Sequence, residues 1–175
     1  MDNPLYFVTS DIHSDVNMLS FLLNEAIKRK VEAFLIAGDL CPSPIEFLPL
    51  LTSPPFPIYI VKGNCDSLWD YRDMHIKVPE ECFFLPFGKR VIAMTHSHTI
   101  TMPEELPIEL KSGDIFITGH THVPLLEKLK SGIIHLNPGS PSRPRSEVGG
   151  TYALIYKDKI EIRKLDGKLF CSTSI

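Results

Sequence analysis

Three pairs of residues two apart stand out by type: Asp11-Ile12-His13, His96-Ser97-His98 and His120-Thr121-His122. In an extended segment alternate side chains point the same way, so each pair can address one point in space. Two single residues join them, Asp39 after Gly38 and Asn64 after Gly63. Carboxylate, imidazole and amide together suit borderline first-row divalent ions (Mn, Fe, Co, Ni or Zn) better than Ca or Mg. Asp11, His13, Asp39, Asn64, His96, His120 and His122 are too many ligands for one tetrahedral ion. They fit two ions about 3.5–4 Å apart that share a carboxylate. Taken singly, each residue has a plainer use. Asp11 and His13 could cap a helix, Asp39 and Asn64 could sit in turns, and the histidines could be hydrogen-bonded strand ends. His98 is either a proton-transfer group beside the ligands or a buried structural histidine. Arg143 and Arg145 either meet a substrate phosphate or belong to a solvated loop.

Each of the donor motifs follows an apolar run, and the runs must position them. LYFV (5–8), AFLIA (33–37), PIYIV (57–61), RVIAMT (90–95) and DIFIT (114–118) read as strands. Their near-continuous apolar character fits strands covered on both faces. Ligands of open α/β sheets bind beyond the carboxyl ends of such strands, so parallel strands would bring the donors to one edge. Residues 15–29 carry apolar side chains at helical spacing (Val16, Leu19, Leu22, Leu23, Ala26, Ile27) and close on Lys28, Arg29 and Lys30. Ser43-Pro44-Ile45-Glu46 reads as a capping box that opens a short helix limited by Pro49. CFFL (82–85) and RVIAMT form a hairpin turned at Pro86-Phe87-Gly88. VPLLEKL, GIIHL, TYALIY and KIEIRKL continue as strands after residue 122. The pattern calls for an α/β sandwich of two packed sheets with helices outside.

Six motifs occur in a fixed order: Ser10-Asp11-Ile12-His13, Gly38-Asp39, Gly63-Asn64-Cys65-Asp66, Thr95-His96-Ser97-His98, Gly119-His120-Thr121-His122 and Asn137-Pro138-Gly139-Ser140. In this the chain resembles the calcineurin-like metallophosphoesterases, and within them the small single-domain bacterial and archaeal phosphodiesterases. The resemblance implies a four-layer α/β/β/α sandwich of two mixed β-sheets flanked by helices. It implies that Asp11, His13, Asp39 and His122 hold one ion and that Asp39, Asn64, His96 and His120 hold the other, with Asp39 bridging. The implied reaction is hydrolysis of a phosphate ester by in-line attack of a metal-bridging hydroxide, with Mn the favoured metal. Asp39, Asn64 and His98 are then the expected catalytic residues, and His98 and Arg143 the expected substrate contacts. Two positions depart from many relatives. Cys65 stands where a proton-donating His is common, and a thiol is a poor substitute. Ser14 stands where Gly is frequent, and it could cap the first helix and face its N-terminus toward an anionic substrate. Asp66 is expected to orient backbone or a ligand histidine. Cys41 and Cys65 are expected to be packing residues.

Length and charge narrow the alternatives. The chain has 175 residues, 43% of them hydrophobic, and the expectation is one domain over 1–175. Its 18 basic and 21 acidic residues give a net charge of −3, which argues against a duplex nucleic-acid partner. No apolar run approaches the roughly 18–20 residues of a membrane span. The first residues, MDNPLYFVTSD, lack the basic and apolar regions of a secretion signal, and four cysteines show no metal-finger spacing. A cytoplasmic phosphodiesterase with a small diester substrate is therefore the expectation. Homo-oligomers remain open. The rivals are a catalytically silent protein-binding scaffold, as in the retromer subunit of this fold, and a nuclease.

Overall fold

A computed structural model describes residues 4–175. The strands β1 (Tyr6–Thr9), β2 (Ala33–Ile36) and β3 (Ile58–Ile60) run parallel, and β9 (Thr151–Ile155) pairs antiparallel with β1. With β10 (Lys159–Lys164) and β11 (Leu169–Ser174) they form a six-stranded sheet, in the order β11-β10-β9-β1-β2-β3. The second sheet has five strands in the order β4-β5-β6-β8-β7. In it β5 (Arg90–Thr95), β6 (Ile115–Ile117) and β8 (Ile134–Asn137) are parallel. The edges β4 (Cys82–Phe87) and β7 (Leu125–Lys128) are antiparallel to their neighbours. Both sheets are thus mixed.

Alternation along each strand decides what packs where. Tyr6 and Val8 of β1, Leu35 of β2, Met94 of β5 and Ile115 and Ile117 of β6 meet in one core between the sheets. Phe7, Phe34 and Ile36 face the other way and are covered by α1 (Val16–Arg29), α2 (Pro44–Thr52) and α3 (Leu68–Asp73). Leu19, Leu22, Leu23 and Ala26 supply the buried stripe of α1. Each buried Leu contributes roughly 1.5–3 kcal/mol of transfer free energy. Among the described residues no α-helix covers the outer face of the second sheet. Ala93 and Phe116 pack there against Leu106 and Leu110, from a loop holding one 3-10 turn at Pro103–Glu105.

Several local expectations are corrected. Asp15, not Ser14, caps α1: its carboxylate accepts from the Met18 amide at 2.9 Å, and Ser14 is left-handed with φ 64°. Ile27 lies off the buried stripe and is 44% exposed. Pro49 does not end α2, and Ser43 makes no side-chain cap bond. The buried Phe47 holds that helix in place, and packing overrides the local cost of proline. The hairpin turns at Gly88-Lys89, because Phe87 pairs with Arg90 and Gly88 takes the positive φ a two-residue loop needs. Pro86 is accommodated inside β4 because β4 is an edge strand. Among the described residues no helix is long and apolar enough to cross a membrane.

Candidate metal centre

The parallel strands β1, β2 and β3 of one sheet and β5 and β6 of the other deliver their following residues to one end of the sandwich. The backbone there is unusual. Asp11 (φ 55°), His13 (49°), Asp39 (49°), His120 (69°) and His122 (61°) are all left-handed, as are Ser14, Cys41 and Ser97. Such residues cost on the order of 1–3 kcal/mol each and persist only where their surroundings fix them. Here the fixing is visible. The Asp11 amide donates to the Gly38 carbonyl at 3.0 Å, and the His13 amide to the Asp39 carbonyl at 3.0 Å. The Asp66 carboxylate accepts from the amides of Asp39 (3.1 Å), Cys41 (2.7 Å) and Gly63 (2.8 Å) and from the Tyr71 hydroxyl (3.2 Å). Asp66 therefore ties the loops after β2 and β3 together. Gly63 has no room for a side chain, since a Cβ would overlap the Asp39 carboxylate.

The side chains converge closely. His122 Nε2 lies 3.2 Å from Asp11 Oδ1 and 3.2 Å from His13 Nε2. His13 Nε2 lies 3.7 Å from both Asp11 Oδ1 and Asp39 Oδ2. His96 Nε2 lies 3.3 Å from Asp39 Oδ2 and 3.1 Å from Asn64 Oδ1, which is 2.9 Å from His120 Nδ1. Two of the imidazoles are held from behind. His122 Nδ1 donates to the Arg143 carbonyl at 2.6 Å, and His96 Nδ1 donates to the Ala37 carbonyl at 2.7 Å. Those bonds leave Nε2 as the lone-pair nitrogen on each ring. Acceptors then face acceptors, and Asp11 Oδ1, fully buried, has no hydrogen-bond partner at all. A buried carboxylate oxygen beside imidazole lone pairs is costly unless a cation sits between them. The donor set therefore fits divalent ions. The triples Asp11–His13–His122, Asp11–Asp39–His96 and His13–Asp39–Cys65 each place their donor atoms within 4.8 Å of one another.

Charge and burial oppose each other here. Burial works against the Asp39 carboxylate, but the close approach of His96 and the hydrogen bond from the Cys65 amide outweigh it and hold its pKa well below the usual range. Burial also disfavours protonated His96, yet Asp39 and Asp11 raise its pKa on balance. For His13 burial wins over Asp39 and Asp11, and its pKa falls. Burial pushes the Cys41 thiol up to about 12.

His98 lies beside the cluster, with its ring 5.5 Å from that of His96. Its Nε2 is 3.5 Å from Glu81, and its buried Nδ1 has no partner. Arg143 presents its backbone to the site, its carbonyl holding His122 and its amide bonded to Ser140 Oγ at 2.9 Å. Its side chain is exposed, and its charge is felt at His13 and Cys41. Cys41 and Cys65 approach each other, Cys41 Sγ lying 3.5 Å from the Cys65 carbonyl. Sequence reasoning missed Glu81, which also binds Lys62 (3.1 Å) and Thr99 (3.0 Å). It missed Ser140 too, whose hydroxyl donates to the Asp11 carbonyl at 2.7 Å. The Asn-Pro-Gly-Ser motif carried a signal for Ser140, and nothing local marked Glu81.

Residues 5–159 match the calcineurin-like phosphoesterase superfamily domain, and the chain belongs to that superfamily. It is 27% identical over 168 residues to the phosphodiesterase YfcE of Escherichia coli, covering 90% of each protein. The structure of that E. coli phosphoesterase superposes with a TM-score of 0.87 at 26% identity, over 97% of this chain and 98% of the other. A Vps29 structure from Entamoeba histolytica superposes with a TM-score of 0.68, over 97% of this chain and 98% of that one. Its 21% identity speaks for the fold alone.

Proposed function

We propose that this chain is a dinuclear metal-dependent phosphodiesterase acting on small diesters. Asp11, His13, Asp39 and His122 would hold one divalent ion; Asp39, Asn64, His96 and His120 would hold the second, with Asp39 shared. Such ions supply Lewis acidity that makes water a nucleophile near neutral pH and clamps the phosphoryl oxygens of an in-line displacement. Mn leads the candidates, with Fe, Co, Ni and Zn suited by the same donors. The chain itself does the positioning. Asp66 and the backbone bonds at Gly38 and Asp39 fix the carboxylates before any ligand arrives. The Ala37 and Arg143 carbonyls fix two ring tautomers.

Arg143 supplies a cation for the phosphate, and among the described residues no carboxylate pairs with it. His98 is the proton-transfer group. Glu81 lies 3.5 Å from its Nε2 and can orient the ring, while Nδ1 is buried without a partner. Burial lowers the His98 pKa despite the neighbouring Glu81. The unpartnered Asp11 Oδ1 among imidazole nitrogens carries the assignment, because a binding scaffold has no use for that cost. A nuclease is disfavoured by the net charge of −3. Unpaired cysteines throughout suit a reducing cytoplasm. The test is direct. Protein loaded with Mn is expected to bind about two ions per chain and to hydrolyse an aryl phosphodiester. No turnover with any of the five metals, together with retention of a protein partner, would favour the scaffold.

A further inference from the structure

We infer that Cys65 is an additional metal donor, which raises the affinity of this centre for thiophilic ions such as Zn or Cd relative to the same centre without the sulfur; the inference rests on the two-ion reading above. The Cys65 sulfur, a His13 ring nitrogen and an Asp39 carboxylate oxygen lie within 4.8 Å of one another, close enough to form one face of a coordination sphere. The thiol is held there from two sides. The Cys65 amide donates to Asp39 Oδ1 at 2.8 Å, which locks its backbone to the proposed bridging carboxylate. Asn64 Nδ2 lies 3.2 Å from Cys65 Sγ, while Oδ1 of the same amide faces His96 and His120. The Asn64 amide therefore directs its oxygen into the histidine side of the cluster and steadies the sulfur on the other. Cys65 is exposed, so an ion reaches it without rearrangement. The neighbouring Cys41 is differently placed. Its sulfur touches His13 at Nδ1 (3.9 Å), the nitrogen on the far side of the ring from the carboxylates.

When the sulfur–metal bond forms, the thiol proton is released to solvent and no electrons are transferred. Imidazole and carboxylate leave the choice among borderline metals open, and one thiolate shifts it toward softer ions.

Cobalt(II) is the probe, read by metal count and near-ultraviolet absorption. Wild-type protein is expected to bind cobalt and to show a sulfur-to-cobalt charge-transfer band. Cys41→Ser keeps that band. Cys65→Ser loses it at an unchanged metal count, and its preference for Cd over Mn falls by about tenfold. A filled wild-type site without the band, or a band that survives Cys65→Ser, overturns the role of Cys65 alone. A chain that takes up no cobalt overturns both this role and the two-ion reading.

Discussion

Two buried carboxylate clusters in this molecule are built in opposite ways. Glu161, on β10, is 4% exposed and is surrounded by donors: Lys159 Nζ at 2.7 Å, Arg163 Nε at 2.8 Å and the Tyr156 hydroxyl at 3.3 Å. Burial works against its charge, but the Lys159 and Arg163 hydrogen bonds outweigh it and hold its pKa below the ordinary glutamate range. Asp11 and Asp39, at the other cluster, are 0% and 2% exposed and face imidazole nitrogens. No Lys or Arg contacts either carboxylate among the described residues. The chain can plainly satisfy a buried carboxylate with its own cations, and at Asp11 it does not. On the proposed reading, the missing positive charge comes from a bound cation.

That contrast can be broken or sharpened in several ways. The largest effect is expected at Asp39, the proposed shared ligand. Asp39→Asn should lower aryl-phosphodiester turnover on the order of 10³-fold with the circular-dichroism spectrum unchanged. An unaltered rate would remove the bridging role. Next comes His98→Ala, expected to lower kcat on the order of 10²-fold with little change in KM. Glu81→Gln should produce a smaller loss, since Glu81 only orients the ring. A His98→Ala enzyme as fast as wild type would retire the proton-transfer assignment.

The smallest effect belongs to the satisfied cluster. Glu161 has a folded pKa below its unfolded value, so its stabilisation is present above the unfolded pKa of about 4.3 and is lost as pH falls through the folded one. Glu161→Gln should therefore cost about 1 kcal/mol at neutral pH. Denaturant melts should show the gap closing as the buffer is taken below that value, with activity untouched. A gap independent of pH would contradict the ion-pair account.

The sequence made the donors legible because each sits directly beyond an apolar strand, and types such as Asp-x-His and His-x-His announce themselves. It made the strand cores legible for the same reason, β1 and β2 being apolar on both faces. What holds the donors in place was harder to read. The sequence marks Asp66 as an orienting residue, as the structure bears out, but not which three backbone amides it holds, those of Asp39, Cys41 and Gly63. Glu81 meets His98 across a distance of 17 positions, on a segment with no motif. Ser14 and Asp15 are both competent caps by type. The left-handed turn that hands the role to Asp15 is set by pairing of the 11–14 segment with Gly38, Asp39 and Leu40. Pro49 and the hairpin turn fail locally for a shared reason: burial of Phe47 and the edge position of β4 are tertiary facts.

The central claim, that the chain has built a cluster awaiting cations, is tested most directly by the thermal stability of Asp11→Asn with and without metal. In chelator the new amide can donate to His122 Nε2 where Asp11 Oδ1 now stands unpartnered, 3.2 Å away. The variant should then melt above wild type. With Mn at a hundredfold over its dissociation constant, wild type should gain about 2.7 kcal/mol, or roughly 5–10 °C, for each ion bound, and overtake a variant that gains far less. Wild type melting higher in chelator, with neither protein responding to Mn, would contradict the claim.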